Sequence, residues 1–326
     1  MTAIASPGAG PGAIPVPWHR MPWVTWRLHR FSLLGILGVF AVAAAGYAVS
    51  GVTVPRSSGQ PEWGTGGAAS VDILSTGIQA GLLLPVLAGM FLGAPLLARE
   101  AERKTVALAW TQGASRTRWL LGQVIPIAVV LAVAAAAISA EFNWWIGPDA
   151  ATGRGWLTPA RFTMHSLPLA GWTVMALALG VFAGAVIRRT IPAMIATFGC
   201  YLTLFYLTSL SWRPSYLPPL HRTWPVTFSA NGANGGYSFG YGLNSLGGRP
   251  GPDVLSQELT WPNGRPLPPY SVHPGSWYRL HHIQMWLTYQ PATRYGLFRY
   301  IEFGWLIALS VVLVAATALI IRRRSA

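Results

Sequence analysis

The chain has 326 residues, of which 52% are hydrophobic and only 10% are charged, and its formal net charge is +14. Soluble globular domains carry about 25% charged residues, so this composition excludes an ordinary soluble domain. The basic excess does not indicate nucleic-acid binding, because the arginines flank apolar runs, as membrane orientation signals do, instead of following one polar helix face.

Residues 1–30 are predicted to form a disordered tail followed by an interfacial segment. The tail covers residues 1–17, which are mainly Pro, Gly and Ala and show no hydrophobic period. Residues 18–30 mix tryptophans with arginines and histidines, a composition typical of a helix at the membrane interface. The apolar run that follows could be a secretory signal peptide, but it exceeds the roughly 7–15 residues of a signal and further runs follow it.

Six apolar runs approach or exceed the roughly 20 residues that a bilayer crossing needs. They cover residues 31–50, 73–98, 119–140, 167–187, 191–210 and 301–321. We therefore expect an all-α membrane protein with about six transmembrane helices. Spans 1 to 5 fall in residues 31–210, a long loop fills residues 211–300, and residues 301–326 hold span 6 and a basic tail. Glycines inside these runs would let helices approach closely, namely Gly35, Gly38, Gly81, Gly89, Gly93, Gly180 and Gly184.

The distribution of cations predicts a multi-pass plasma-membrane protein with both termini in the cytoplasm. Basic residues are concentrated before span 1, between spans 2 and 3, between spans 4 and 5, and after span 6. The alternate short connections carry only Arg56, Arg154 and Arg161. The loop of residues 211–300 holds seven arginines, but long loops cross largely regardless of charge, so we expect it outside the cell.

Two connections are predicted in more detail. Spans 4 and 5 should form a tight hairpin, in which Thr190 caps the incoming helix and Pro192 lies in its first turn. In the long loop, Asn-Gly and Gly-Gly turn signals alternate with aromatic residues, which predicts a small extracellular subdomain packed by aromatics. Residues 216–219 and 278–287 could form short helices at its surface.

The segment of residues 99–118 is the most unusual part of the chain, because acids stand there among bases. Glu100 precedes Lys104 by four residues, the favourable order for a helical ion pair, and Glu100 and Glu102 would lie in a helix's opening turn. The segment then turns apolar through Trp110. These features favour a short cytoplasmic helix on which a partner docks. The alternative, a solvated loop with ordinary orientation charges, stays open.

Residues 94–119 resemble the cytoplasmic segment of actinobacterial type-2 ABC exporter permeases. The stretch runs from Ala94-Pro95-Leu96-Leu97-Ala98-Arg99-Glu100 through Ala109-Trp110-Thr111-Gln112 to Ser115-Arg116-Thr117-Arg118-Trp119. Residues 188–194, residues 289–295 and Ile301-Glu302 are similar to the same family, in the family's order. Two departures occur: Lys104 stands where the family usually has Gly, and residues 294–299 lack the aromatic residue and Gln that usually follow the Arg.

The resemblance implies a permease subunit that pairs with a second copy or a related permease and works with a separately encoded ATPase. It implies that the segment around Glu100–Thr111 is the coupling helix that contacts this ATPase. The ATPase-coupling residues would then be Arg99, Glu100, Glu102, Arg103, Lys104, Thr105, Trp110, Thr111 and Gln112. The partner would bind ATP and Mg²⁺, since the sole lysine, Lys104, lacks the glycine frame of a P-loop.

Other candidate site residues are few. Glu141 and Glu302 lie near span ends and are candidate functional acids at the membrane interface, although either could be structural. For Glu302, a salt bridge to Arg299 or Arg294 is the structural alternative. The histidines of the long loop lack metal-ligand spacing, and the single Cys200 permits no intrachain disulfide, so we expect no catalytic, cofactor or metal site.

The leading hypothesis is an ABC exporter permease that moves an amphipathic or apolar substrate outward. Two alternatives remain. One is a membrane-embedded enzyme at the outer face, for which Glu141, Asp149, Asp253, Glu258 and the histidines would be the only candidates. The other is a membrane anchor or sensor whose outer loop binds a partner.

Overall fold

Six long apolar helices dominate the structure. The computed structural model describes residues 21–53, 56–57, 60–61, 81–102, 116–146, 157–165, 167–230, 237–241, 253–268, 277 and 280–323. In this part of the chain six helical segments are long and apolar enough to cross a membrane. They are span 1, Thr25–Val49; span 2, Leu84–Glu102; span 3, Thr117–Trp144; span 4, Leu167–Ile187; span 5, Thr190–Ser215; and span 6, Ala292–Arg323. The predicted all-α membrane protein with about six spans is confirmed. The side of the membrane on which each end lies stays a prediction.

Several helices extend beyond the predicted spans. Helix α1 runs from Met21–Thr53, so from Met21 onward the expected interfacial segment is continuous with span 1. Span 2 consists of α2, Leu84–Ala88, a π-helical turn, Gly89–Gly93, and α3, Ala94–Glu102. Span 3 lies in α4, Arg116–Ile146. The short α5, Pro159–Met164, precedes span 4, which is α6, Leu167–Ile187, as predicted.

Span 5 ends in turns that are wider or tighter than those of an α-helix, and span 6 begins in a tighter one. Helix α7, Thr190–Leu207, continues into a π-helical turn, Thr208–Trp212, and a 3₁₀ turn, Arg213–Ser215. A 3₁₀ turn, Ala292–Arg294, leads into α8, Tyr295–Arg323. Only Arg188 and Arg189 separate α6 from α7, which confirms the tight hairpin, and Pro192 lies in the first turn of α7.

Span 4 is the centre of the bundle. In its most apolar window 72% of the residues are buried, against 17% for span 6 and 22% for span 1. The peripheral helices therefore turn apolar side chains such as Phe31, Val133 and Val311 outward, where a bilayer would cover them. The core around span 4 includes Leu92, Leu131, Leu177 and Val181, all nearly inaccessible.

Residues between spans 5 and 6 form a four-stranded antiparallel sheet. Its strands are β3, Leu220–Ala230, β4, Tyr237–Tyr241, β5, Asp253–Thr260, and β6, Gln284–Gln290, in the order β4-β3-β6-β5. Two short strands, β1, Arg56–Ser57, and β2, Gln60–Pro61, pair after span 1. The short helix expected at residues 216–219 is wrong, because these residues are irregular. In the other stretch, residues 278–287, Leu280 is helical and the His281 amide donates to the carbonyl of Trp277 at 3.0 Å. Residues 284–287 instead belong to β6, where Met285 and Leu287 are buried and Trp286 is exposed.

The sheet is held to the end of the bundle at which spans 4 and 6 begin and span 5 ends. The Gln290 side-chain amide donates to the carbonyls of Pro214 and Leu217, at 3.0 Å and 2.8 Å. The Leu157 amide donates to the carboxylate of Asp253 at 2.5 Å. Hydrogen bonds made by Asp253 of β5 and Gln290 of β6 thus hold the sheet over one end of the helices.

Candidate functional site

The predicted coupling segment is described only in its first part. Arg99, Glu100 and Glu102 lie in the last turns of α3, which is the continuation of span 2. Both acids lie on the helix that continues span 2, so their expected place in the opening turn of a new helix is wrong. The chain stays helical past Ala98 because no glycine, proline or capping residue interrupts it there. Arg103, Lys104, Thr105, Trp110, Thr111 and Gln112 lie outside the described residues.

The carboxylate of Glu102 binds the first residue of span 5. Its Oε1 accepts a hydrogen bond from the Thr190 amide at 2.7 Å, and its Oε2 accepts one from the Thr190 hydroxyl at 2.9 Å. The first amides of a helix have no partner within the helix and carry partial positive charge, so a carboxylate is well suited to this position. Arg189 and Arg99 add favourable electrostatic interactions with the same carboxylate.

Thr190 does not cap its helix in the way predicted. It is the first helical residue, and the capping position is Arg189, which makes no side-chain capping bond. The turn is completed by Arg188 in the left-handed region, with φ of 59°. The acid that serves this helix end comes from 88 residues earlier in the chain, at the end of span 2.

Spans 2 and 4 touch backbone to backbone along a seam of four glycines. A Cβ on Gly180 would lie 2.2 Å from the carbonyl oxygen of Gly89, and one on Gly93 would lie 2.6 Å from that of Leu177. Gly184 is placed similarly against Ala94, at 2.5 Å. The predicted close approach is confirmed for these glycines. It is wrong for Gly35 and Gly38, which have nothing within 4 Å of a built Cβ.

A small polar cavity of about 190 Å³ lies beside the first part of the coupling segment. It is bounded by span 1 and span 2, and its polar lining residues are His29, Ser32, Arg99 and Glu100. His29 is hydrogen-bonded to Gln123 of span 3 at 2.8 Å, and Thr25 donates to the carbonyl of Gly122 at 2.9 Å. Span 1 is therefore joined to span 3 on the side of the bundle that carries the coupling segment.

The opposite end of the bundle contains a buried ion pair that sequence analysis missed. Nε and Nη2 of Arg213 donate to the two carboxylate oxygens of Glu302 at 2.9 Å and 2.8 Å. Neither side chain is exposed to solvent. The expected partners Arg299 and Arg294 are therefore wrong. Arg294 instead donates to the carbonyl of Pro218 at 2.7 Å and to the side-chain oxygen of Gln290 at 2.9 Å.

Glu302 also accepts two neutral hydrogen bonds, which leaves its carboxylate fully coordinated. The indole of Trp172 donates to Oε1 at 2.8 Å and the hydroxyl of Tyr216 donates to Oε2 at 3.1 Å. The Arg213 guanidinium carbon lies 4.2 Å from the ring centre of Phe162. Spans 4, 5 and 6 meet in this cluster, and the functional role expected of Glu302 stays a prediction. Glu141, the other candidate acid, is half-buried on α4.

His165 lies next to this cluster, between spans 3 and 4. Its Nδ1 is hydrogen-bonded to the side-chain oxygen of Asn143, and its ring packs edge-to-face on Phe142, with 5.1 Å between the ring centres. Burial first, and then the positive charges of Arg299 and Arg161, lower the pKa of His165 to about 4. The imidazole is therefore neutral at physiological pH.

Among the described residues, no three His, Cys, Asp or Glu side chains lie close enough together to hold a metal ion. That the chain binds no metal or cofactor stays a prediction, since the histidine-containing loop is described only in part. Cys200 is exposed on α7.

Comparison with known protein families gives one match. Residues 68–213 match the family model described as ABC-2 membrane transporter related. The matched region covers spans 2 to 5 and the coupling segment, and it ends at Arg213. No curated protein and no solved structure matches the chain. The match supports the similarity to type-2 ABC permeases noted for residues 94–119, and it says nothing of the sheet or of span 6.

Proposed function

We propose that the chain is the transmembrane permease subunit of an ABC exporter, which moves an amphipathic or apolar substrate outward with ATP hydrolysed by a separate subunit. The family match over residues 68–213 and the six spans support a transport role. The ATPase would bind ATP and Mg²⁺ and dock on residues 99–112. Two permease copies, or this chain with a related permease, would enclose the path.

The observation that carries the proposal is the bond between Glu102 and Thr190. A force applied by an ATPase to the end of span 2 would reach span 5 directly through this carboxylate. The same force would reach span 4 through the glycine seam, where the backbones of Gly89 and Gly180 are in contact. Spans 2, 4 and 5 would therefore move together as one body, which is what alternating access by rigid-body movement requires.

The proposed substrate class follows from the membrane-spanning surface. Each of the six spans contains an 18-residue apolar stretch with at most two charged residues. The buried side chains of Arg213 and Glu302 pair with each other. A path between such helices favours a molecule that is itself apolar over most of its surface.

The first test is to purify the tagged chain from native membranes in mild detergent and to identify the proteins that accompany it by mass spectrometry. We expect a stoichiometric ATP-binding subunit. Glu100→Arg should remove it, because the change reverses a charge in the docking segment. The matched control is Glu258→Arg, which reverses an exposed charge on β5 and should leave the subunit bound. Recovery of the chain alone, without ATP hydrolysis, would favour the enzyme or anchor hypotheses.

A second test separates docking from coupling. Glu102→Ala removes the bond to Thr190, so it should reduce the dependence of ATP hydrolysis on the permease in reconstituted membranes even in complexes that retain the ATPase. If Glu102→Ala and Glu258→Ala give the same hydrolysis rates, force transmission through Thr190 is wrong even where docking holds.

A further inference from the structure

An apolar groove runs along the outside of the bundle between spans 3, 4 and 6. Its volume is about 620 Å³, within the roughly 300–1,000 Å³ of ligand-binding pockets. The described lining residues are aliphatic except for Thr117, Ser310 and Arg322. The Ser310 hydroxyl donates to the carbonyl of Leu306 at 2.7 Å, so the groove presents hydrocarbon over most of its length.

The groove opens sideways, toward the hydrocarbon of a bilayer. Its floor is buried, with Leu177 at 0% exposure and Ala178 at 2%. Its rim is exposed, with Val129 at 55% and Val311 at 62%. Along span 6 the lining reaches from Ile307 to Arg322, which is about 22 Å of helix and more than the roughly 15 Å depth of one leaflet. A hydrocarbon chain lying in the groove would therefore enter it from the membrane.

One end of the groove is positively charged. Arg322 is the only charged residue among the described lining residues, and Thr117 lies at the same end of the bundle. Arg118 and Arg323 stand at the same helix ends, and the sequence contains no Asp or Glu in residues 103–140 or 303–326. The groove thus combines a hydrocarbon channel with a basic mouth, the complement of an amphipathic anion.

A second copy of the chain is a poorer occupant than a lipid. A two-fold axis along the membrane normal would place Arg322 of both copies at the same depth, and like charges at a shared interface repel. A neutral apolar chain would fill the channel but would offer no negative charge to the basic mouth.

We propose that this groove binds an anionic phospholipid of the leaflet that faces the Arg322 end, with an acyl chain between Val129 and Val311 and the phosphate at Arg322. The lipid fills a space between three spans and joins span 6 to spans 3 and 4. This site does not depend on an ATPase partner, so it is independent of the proposed transport function.

The test uses the full chain in nanodiscs of mixed phosphatidylcholine and phosphatidylglycerol, doped with phosphatidylglycerol that carries a photoactivatable group in the acyl chain. After irradiation, the labelled peptides are identified by mass spectrometry. We expect labelling of α4 and α8 at groove residues. Arg322→Gln should reduce this labelling about tenfold, the range for loss of a charge-assisted bond. The control Arg188→Gln removes an exposed charge from the turn between spans 4 and 5, which is not among the described lining residues, and should change the labelling little.

A second variant, Ala178→Phe, fills the floor of the groove and should also remove the labelling, and size-exclusion chromatography reports whether each variant remains monodisperse. Equal labelling by photoactivatable phosphatidylcholine would overturn the recognition of an anionic headgroup. Cross-links between the grooves of two chains would overturn the lipid as occupant and assign the groove to a protein interface. Labelling spread evenly over all lipid-facing helices would show that no site exists.

Discussion

Arg213 and Glu302 form a two-point ion pair that is completely shielded from solvent and joins the end of span 5 to the first turns of span 6. About 34 Å away along span 5, at Thr190, the other end of the same span is bound by Glu102. Span 5 is therefore fixed at both ends by carboxylates from other spans, one buried and one exposed. The two bonds should respond very differently to substitution.

Breaking the buried pair should be costly. Glu302→Gln removes the negative charge and leaves Arg213 uncompensated in a dry site, with an expected loss of about 3–5 kcal/mol of stability. Arg213→Met should cost a similar amount, whereas the double variant should cost clearly less than the sum of the two. Thermal unfolding in detergent, followed by fluorescence, measures the differences. Additive losses would mean that the two charges do not interact.

Substitutions at the exposed bond between Glu102 and Thr190 should have non-additive effects on stability rather than cause a large loss of stability. Glu102→Ala and Thr190→Val each remove part of the same bonding pattern, so the second change should add little to the first. A double-mutant cycle on apparent melting temperature measures this coupling. Thr203→Val is a matched control on the same helix, because the Thr203 hydroxyl bonds only within its own helix, to Gly199, at 2.9 Å. If Thr203→Val couples to Glu102→Ala as strongly as Thr190→Val does, the bond is not specific.

The glycine seam should tolerate no added methyl group. Gly180→Ala would place a Cβ 2.2 Å from the backbone oxygen of Gly89, which cannot rotate away, and overpacking of this kind costs about 1–3 kcal/mol. The control Gly199→Ala changes a helical glycine with nothing within 4 Å and should instead stabilise the chain by about 0.5–1 kcal/mol. The yield of monodisperse protein and the melting temperature report both effects. A stable Gly180→Ala variant would show that spans 2 and 4 are separated in the native protein.

Acidification should destabilise the chain through His165. Burial first, and then Arg299 and Arg161, hold the pKa of His165 at about 4, below the ordinary value of 6.5. The unfolded state therefore binds more protons between pH 6.5 and 4, so stability falls as the pH is lowered through this window, by up to about 3 kcal/mol. His165→Gln should flatten the pH dependence of the melting temperature. His221→Gln, which changes an exposed histidine on β3, should leave that dependence unchanged. An unchanged slope in His165→Gln would assign acid sensitivity to other groups.

The spans were predictable because each depends on local composition. The bounds predicted for span 4, residues 167–187, are those of the helix, since Pro168 and the arginine pair leave few alternatives. Contacts across the bundle were not predictable. Arg213 ends one apolar run and Glu302 begins another 89 residues later, and no periodicity in a single sequence joins them. The nearest arginines, Arg299 and Arg294, were therefore the natural but wrong choice.

The coupling segment shows the same division. Its charge pattern was visible from the sequence, but the position of Glu102 on the continuation of span 2 and its bond to Thr190 of another span were not. The strand β6 could not be found from periodicity, because Met285, Trp286 and Leu287 are all apolar and only their burial alternates in the structure.

The π-helical turn Gly89–Gly93 has one more residue than an α-helical turn would need. The wider turn takes up this residue, so the helix after it keeps the facing that it would have after one fewer residue of continuous α-helix. Deleting a residue within Ala94–Glu102 has no such outlet and would rotate Glu102 by about 100° and shift it by about 1.5 Å, away from Thr190. The meeting of spans 2 and 5 is thus determined by the number of residues between this turn and Glu102, about two and a half helical turns, so a deletion there should be far less tolerated than one within the π-helical turn itself.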